Sequence, residues 1–433
     1  MIVRNTIDHD AISGASAVSA DFSASGGEGR RSRIAPILGP AFVAAIAYVD
    51  PGNVATNLTA GATHGYLLVW VVVVASLVAI LVQFQAAKLG MATGQSLPRL
   101  CRERLPRWGT RLLWAQAEIV VLATDLAEFV GAAIGMRLLF GMPAALSAAV
   151  TAAVSLLLLQ LRRQGRTRRF ELMSAAALVL VGAGVGYDIV AVGHQSAAGL
   201  AAGLVPGFDG PGSLVLAMGI VGATVMPHAV YLHSALVQGR GMSADAARRQ
   251  PGLVRRALRL DCVLALGIAT GVNVSMIALG AGFGAVTGGT WTGDLIDAHS
   301  ELAGRVGGFA ALAFAVALLS SGISSAGVGT LAGDVVMHGF LGWRVSPHVR
   351  RIVTMAPSVL ALSIGVPLTG LLIASQVVIS LGVPVALFLL VWFCRDRALM
   401  GPLVNAPLTT RIAGVTGAIV AALGACLPFT LLF

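Results

Sequence analysis

The sequence predicts an all-α polytopic membrane protein with about eleven transmembrane helices, ten of them arranged as an inverted repeat. Hydrophobic residues make up 57% of its 433 residues and charged residues only 11%, whereas a soluble domain has about 25% charged residues. About eleven stretches of roughly 20 mostly apolar residues can each form a membrane-spanning helix. Two of these stretches, the first and the sixth, are interrupted by helix-breaking residues and lie five spans apart, which is the pattern of an inverted-repeat transporter.

The apolar stretches give the order of the spans along the chain. Each is bounded by polar or basic residues, so its start can be placed to within a few residues. The starts lie near Pro36, Tyr66, Arg111, Met142, Glu171, Gly212, Leu258, Gly307, Ile352, Pro367 and Ile412.

The basic residues set the predicted orientation. Of the 29 Lys and Arg residues, all but Arg137 and Arg305 fall in the N-terminal tail or near the connections after even-numbered spans. By the positive-inside rule the N-terminus is cytoplasmic and, with an odd number of spans, the C-terminus is outside. The net charge of +10 therefore reflects topology, and we expect no nucleic-acid binding. The basic runs "RRQGRTRR" and "RRALR" leave a contact with lipid headgroups open.

The domain organisation follows from the same pattern. Residues 1–33 are rich in Ser, Gly and Ala and are predicted to be a disordered cytoplasmic tail, not a cleaved signal. Residues 34–433 form one transmembrane domain, with a first repeat at about 36–192, a second at about 212–394 and an extra helix at about 409–432. Lys88 is the single lysine, and the other basic residues of the Lys and Arg count are arginines. This composition suggests a GC-rich bacterial genome and hence a bacterial plasma membrane.

Both interruptions carry polar or ionisable groups in mid-membrane. The first is Asp50-Pro51-Gly52-Asn53, and the second is Met226-Pro227-His228. Proline frees backbone carbonyls from the helix, and inside a bilayer such carbonyls must be buried in protein or line a polar cavity. An acid at that depth is costly, so a functional site is the default interpretation, although an isolated proline could simply kink a helix.

The two breaks together offer a mixed set of metal ligands. It comprises a carboxylate (Asp50), an amide oxygen (Asn53), a thioether (Met226) and the carbonyls of Ala47 and Ala223. Magnesium and calcium prefer all-oxygen shells, so a thioether favours softer divalent ions, with manganese and iron(II) accepting both kinds of ligand. Alone, a membrane methionine is more often a packing residue.

The third span carries three acids on one helical face. Glu118, Asp125 and Glu128 stand at i, i+7 and i+10. A stripe of buried carboxyl groups can hold and pass protons near neutral pH. The less favoured alternative is an ion-paired structural stripe, with Arg350 or Arg351 at the start of the ninth span as partners.

"DPGN" and "MPH" together resemble the two signature motifs of the Nramp (natural resistance-associated macrophage protein) family of divalent-metal transporters. The similarity continues through "ATDLAEFVGAAIG", "SSGISSAGVGTLAGDVVMHGF" and "SQVVISLGVP", from about Pro36 onward. The resemblance implies a LeuT-like fold with helices 1 and 6 unwound. It also implies proton-coupled symport of Mn(II) and Fe(II) into the cytoplasm by alternating access.

The resemblance also implies residue roles. It assigns Asp50, Asn53 and Met226 to the metal, with the Ala47 and Ala223 carbonyls joining in some conformations. Gln376 matches a position that approaches the site in more closed states. The roles implied for protons fall on Asp125, Glu128 and Asp50, with Arg350 and Arg351 in the same network and His228 near the ligands; Glu118 extends the stripe.

Other features have two open interpretations. Ser320, Ser321, Ser324 and Ser325 form a polar patch that fits packing and back-bonding better than a second cation site. The series Gly131-x-x-x-Gly135 and Gly329-x-x-x-Gly333 suggest close helix packing. Tyr48, beside the first break, is a candidate inner gate or a packing aromatic.

Three other functions compete with metal transport. A membrane di-iron enzyme could use the H-x4-H pair His228 and His233, but the remaining histidines are isolated, so we expect no enzyme and no permanently bound cofactor. A sodium-coupled amino-acid symporter would leave Met226 without a task, and Asp50 would repel a substrate carboxylate. A passive channel stays open until accumulation is measured. The four cysteines show no C-x-x-C pair, and a monomer is expected.

Overall fold

A computed structural model describes residues 37–162, 167–193, 195–288, 291 and 293–432. The predicted cytoplasmic tail lies outside these residues. Throughout the described part of the chain the regular structure is helical, as the composition predicts. Among the described residues, eight helices are long and apolar enough to cross a membrane. The other three predicted spans correspond to a divided first helix, to Ala144–Arg162 and to the arginine-containing helix Pro347–Ile364.

The helices begin within seven residues of the predicted starts, the largest difference being Pro251 for a start predicted near Leu258. We number the spans 1 to 11 in chain order. Their bounds are Pro40–Ala47 and Pro51–His64 (span 1), Val69–Thr93, Arg107–Phe140, Ala144–Arg162, Thr167–Val192, Pro211–Thr224 and Pro227–Leu236 (span 6), Pro251–Val286, Gly308–Leu341, Pro347–Ile364, Leu368–Cys394 and Pro407–Leu432. Short helices connect them at Leu97–Arg104, Ala197–Ala202, Ala244–Arg249, Leu295–Glu301 and Arg397–Met400.

Spans 1 and 6 are each split where the sequence places a proline. Pro51 and Pro227 each begin the second half of their span, where the missing N–H is one that no helix turn would use. The residues just before them, Asp50 and Met226, have extended backbone and serve as N-caps. The split therefore has a local cause in the sequence.

Side chains from neighbouring spans donate hydrogen bonds to the backbone carbonyls that the first break leaves free. Ser321 Oγ donates to the carbonyl of Val49 at 2.5 Å, and Asn273 Nδ2 donates to the carbonyl of Tyr48 at 2.8 Å. Both carbonyls lost their helical partners where span 1 unwinds, and in hydrocarbon they could not stay unpaired. The predicted serine patch is thus partly back-bonded, as with Ser324 to Ser320, and partly a support for the break.

Small residues let the spans around the breaks pack closely. A Cβ on Gly131 of span 3 would collide with the ring of Pro51. The glycine therefore lets the broken part of span 1 pack closely against span 3. The outer half of span 1 likewise meets span 7 backbone to backbone at Gly61 and Gly280. The prediction of helix packing holds for Gly131 and Gly135, the latter facing the backbone of Leu319.

The interpretation of the second glycine series was wrong. Gly329 and Gly333 of span 8 do not face a helix backbone. A Cβ on Gly329 would meet the carboxyl groups of Glu128 and Asp125, and a Cβ on Gly333 would meet the guanidinium of Arg350. These glycines make room for charged side chains.

Three cations assigned to connections lie inside helices. Lys88, Arg350 and Arg351 are 3%, 5% and 2% exposed and belong to spans 2 and 9. The count of basic residues near the connections treats these three as orientation signals because they lie near the ends of spans. Their burial requires local polar partners, which lowers their value as orientation signals.

Candidate metal centre

Asp50 stands at the junction of the two halves of span 1. Its carboxylate accepts the backbone N–H of Asn53 at 2.8 Å and the side-chain amide of the same residue at 2.7 Å. The first bond caps the helix Pro51–His64, because its early N–H groups have no partner within the helix. Asp50 is fully buried, so the site is closed to solvent on both sides.

Asn53 joins the two breaks. Its Nδ2 donates to the carbonyl of Ala223 in span 6 at 2.8 Å, as well as to Asp50. Ala223 precedes Met226 by three residues, and both are fully buried at the point where span 6 unwinds. The structure thus brings the two motifs to one place, as the sequence predicts.

Gln376 of span 10 closes the site from a third side. Its Nε2 lies 3.5 Å from Asp50 Oδ2, and its amide packs against Gly52, where any Cβ would collide with it. The Gln376 backbone approaches span 6 equally closely at Gly222. The two glycines let span 10 reach both breaks at once.

Several acceptors in this centre have no hydrogen-bond partner within the described residues. These are Asn53 Oδ1, Gln376 Oε1 and Thr224 Oγ1. Buried polar atoms are seldom left unpaired in folded proteins, so such a cluster needs a reason. Two amide oxygens, a carboxylate and a thioether, all on buried residues at or beside the two breaks, form a donor set suited to a divalent cation with some soft character.

The described residues contain no group of three or more His, Cys, Asp or Glu side chains placed to hold a metal. The mixed ligand set at the breaks is therefore the metal-binding candidate in this part of the chain. His228 and His233 do not converge on a common point: His228 Nδ1 contacts Thr124 Oγ1 at 3.2 Å, and His233 Nδ1 contacts Gln83 Oε1 at 2.9 Å.

The acidic stripe of span 3 is ion-paired at two of its three positions. Arg350 pairs with Glu118 at 2.8 Å, and Arg351 pairs with Asp125 at 2.9 Å, the second pair being 2% exposed on both sides. Both arginines come from span 9, as predicted. The stripe is therefore structural in part.

Glu128, the third acid, is the exception. It is fully buried, forms no ion pair, and neither of its carboxyl oxygens has a hydrogen bond of ordinary geometry in the described structure. It lies beside Asp125 at the Gly329 notch, and Gly131, three residues further along span 3, touches Pro51. This unpaired acid thus lies between the first break and the paired part of the stripe.

Tyr48 lies immediately before the first break and is buried. It is 2% exposed, and its hydroxyl accepts the amide of Gln83 at 2.6 Å, which in turn contacts His233. One chain of hydrogen bonds thus connects spans 1, 2 and 6 below the site. Sequence reasoning named Tyr48 but missed Gln83, because a glutamine in an apolar helix carries no motif.

Asp261 of span 7 also holds the inner half of span 1. Its two carboxylate oxygens accept the backbone N–H groups of Gly39 and Ala41 at 2.9 and 3.0 Å. It is 1% exposed, and an Arg240–Glu171 ion pair lies beside Gly39. Sequence reasoning missed this residue because a single acid near the start of a span carries no motif.

The architecture matches solved transporters of the LeuT fold. MhsT bound to L-phenylalanine superimposes with a TM-score of 0.60 at 15% identity, covering 89% of this chain and 98% of that one. Mhp1 in a closed conformation does so with 0.61 at 19%, covering 91% and 92%. At such identities the likeness shows the fold alone, and it confirms the predicted fold class.

Closer comparisons define the family. The Eremococcus coleocola manganese transporter, in complex with an aromatic bis-isothiourea substituted compound, superimposes with a TM-score of 0.80 at 29% identity over 94% of this chain and 90% of that one. Proteins named divalent metal cation transporter MntH are 45% identical in Deinococcus radiodurans (92% of this chain, 91% of that protein) and 41% identical in Bacillus subtilis (90% of each). The sequence profile of the "Natural resistance-associated macrophage protein-like" (Nramp) family matches residues 41–430, and the chain belongs to this family. It is thus a transporter and not an enzyme.

Proposed function

We propose that this protein is a proton-coupled symporter that moves divalent transition-metal ions, chiefly Mn(II) and Fe(II), into the cytoplasm of a bacterium by alternating access. One observation carries the proposal. Asn53 ties Asp50 at the first break to Ala223 at the second, beside Met226. The names of the relatives, divalent metal cation transporters, support the class of substrate.

The ligand chemistry supports transition metals over magnesium and calcium. Asp50, the oxygens of Asn53 and Gln376, the Met226 sulfur and the carbonyls of Ala47 and Ala223 would share the ion in different conformations. A thioether gives little to Mg(II) or Ca(II), which gain their affinity from complete oxygen shells. Mn(II) and Fe(II) accept sulfur as well as oxygen, so Met226 discriminates against the abundant hard ions.

Proton coupling follows from the charge of Asp50. A neutral carboxyl is cheap to bury, whereas a divalent ion needs the carboxylate, so metal binding and proton release are linked. Glu128, which is unpaired, is the group that would take the proton next, followed by the Asp125–Arg351 and Glu118–Arg350 pairs. His228 lies between Met226 and span 3 and would serve the same route.

The orientation assigns a direction to the cycle. With a cytoplasmic N-terminus and an external C-terminus, the Asp261 contacts and the Tyr48–Gln83–His233 chain lie on the cytoplasmic side. Their closure describes a protein shut toward the cytoplasm, and metal release requires Pro40–Ala47 to leave Asp261. Tyr48 is then an inner gate.

The test is Mn(II) uptake into proteoliposomes with and without an imposed inward proton gradient. We expect accumulation above equilibrium with the gradient, and acidification of the lumen that depends on Mn(II). Uptake that stops at equilibrium under both conditions would instead indicate a channel. Asp50→Ala should abolish uptake, while Asp245→Ala, which removes an exposed acid on the Ala244–Arg249 connection, should not.

Competition by other ions tests the ligand set separately. In the Met226→Ala variant, Mg(II) and Ca(II) should inhibit Mn(II) uptake at lower concentrations than in the wild type. Met218→Ala, on the same span and also fully buried, is the matched control. Equal competition in all three proteins would contradict the role of the sulfur, and competition by amino acids would favour an organic substrate.

A further inference from the structure

The basic run "RRALR" lies where span 7 enters the membrane. Arg255 and Arg259 stand one helical turn apart on the same exposed face. Arg259 is the last exposed charged residue before the apolar body of the helix. The run is therefore at the depth of lipid headgroups, on the side where the sequence concentrates its positive charge.

Span 2 contributes a third cation to the same place. Lys88 Nζ lies 5.6 Å from the centre of the Phe84 ring, and the Arg259 guanidinium lies 6.0 Å from the centre of the same ring. Lys88 is 3% exposed and hydrogen-bonds Asn405 just before span 11. We call this group, Lys88, Phe84, Arg255 and Arg259, the basic crevice.

The positive charge of the basic crevice is not neutralised by the described residues. Lys88, Arg255 and Arg259 take part in none of the ion pairs found there. Arg255, whose charge has the same sign, lies close enough to Lys88 to repel it. A buried cation is normally paired, and without a carboxylate its natural counter-charge is an anion from outside the protein.

An apolar ridge continues directly from the crevice into the membrane. Leu260, Val263, Leu264 and Ile268 are 42% to 48% exposed and follow each other at helical spacing below Arg259. A ligand that fills both parts has a negative head and long apolar tails. Inorganic phosphate or a soluble nucleotide has no use for the ridge.

We propose that the basic crevice binds the phosphate headgroup of an anionic phospholipid of the cytoplasmic leaflet, whose acyl chains lie along the Leu260–Ile268 ridge. Arg255 and Arg259 contact the phosphate, and Lys88 adds its charge from beneath. The bound lipid fastens span 7 to span 2 and to the Pro402 turn, to which Arg255 Nη1 already donates at 3.4 Å.

The experiment measures lipid binding and does not depend on transport. Native mass spectrometry of the purified full chain is titrated with dioleoyl phosphatidylglycerol or with dioleoyl phosphatidylcholine. The test variant is Arg255→Gln/Arg259→Gln. The control is Arg104→Gln/Arg344→Gln, which removes two exposed arginines from other connections at the same end of the molecule.

We expect the wild type and the control to prefer phosphatidylglycerol, and the test variant to bind it at least tenfold more weakly while its binding of phosphatidylcholine is unchanged. Because all four arginines are exposed, both variants should fold. Equal losses in the two variants would reduce the effect to general surface charge and overturn the proposal. So would displacement of phosphatidylglycerol by millimolar inorganic phosphate, since it would identify a soluble anion as the ligand.

Discussion

Replacing Asp261 by alanine should open the protein toward the cytoplasm. The Asp261 carboxylate accepts two backbone N–H groups at the start of the helix Pro40–Ala47, from Gly39 and Ala41. These N–H groups have no acceptor inside their own helix. In the variant they would be buried without a partner while the helix stays docked, and they would reach water once it swings out.

The size of the effect follows from the two bonds. A hydrogen bond to a charged group contributes about 1.5–3 kcal/mol, so two contribute roughly 3–6 kcal/mol. Removing a buried carboxylate recovers part of that as relief from desolvation. A net shift of about 2 kcal/mol toward the open state is the expected remainder, which is a change of about thirtyfold in the closed-to-open ratio.

Hydrogen exchange read by mass spectrometry measures this ratio without labels. In Asp261→Ala, amides of Pro40–Ala47 should exchange about thirtyfold faster, while those of Pro51–His64 in the outer half of span 1 keep their wild-type rates. Asp245→Ala is the control. Unchanged exchange in Pro40–Ala47, or an equal increase throughout the chain, would refute the claim that Asp261 holds the inner half of span 1.

Three further predictions concern other contacts. Asp125→Ala removes one member of the buried Asp125–Arg351 ion pair, so it should lower the free energy of unfolding by about 3–5 kcal/mol, and the combined variant Asp125→Leu/Arg351→Met should recover most of that loss; no recovery would show that the loss is not electrostatic. Gly131→Val should abolish Mn(II) uptake while the protein still inserts, because the added side chain displaces the proline of the first break; wild-type uptake would contradict this close approach. Asp209 lies outside the spans, and its hydrogen bond with His64 lowers its pKa, so its stabilisation is present above its ordinary pKa near 4 and is lost as pH falls through the lower folded-state value. In Asp209→Asn the melting temperature should therefore fall less steeply as the pH is lowered below about 4. An unchanged dependence on pH in that range would count against the Asp209–His64 pair.

The spans and the breaks could be predicted because their causes are local. A run of 20 apolar residues is helical in a membrane whatever its neighbours, since every backbone group must be satisfied within the segment. Pro51 and Pro227 break their helices for reasons confined to one turn. Asp50 and Met226 are notable in sequence because a mid-membrane acid and a paired motif are rare, so the residues of the centre could be named before any packing was known.

Contacts between distant spans could not be predicted in the same way. The links from Asp261 to Gly39 and from Gln376 to Gly52 join residues more than 200 positions apart. Gly329 leaves space for two carboxyl groups only because its face of span 8 packs against span 3. Helical periodicity gives a face but not its partner.

The sequence by itself determined that this is a membrane protein of about eleven helices, that two of them are broken, and which polar side chains the breaks carry. Those properties follow from hydropathy, proline chemistry and charge, each of which acts within a few residues. Only the tertiary structure decided that Asn53 reaches Ala223, that Glu128 is the one acid of the span 3 stripe without an ion pair among the described residues, and that Lys88 and Arg259 lie against one ring. Such contacts depend on how helices pack, because packing brings residues together irrespective of their separation along the chain.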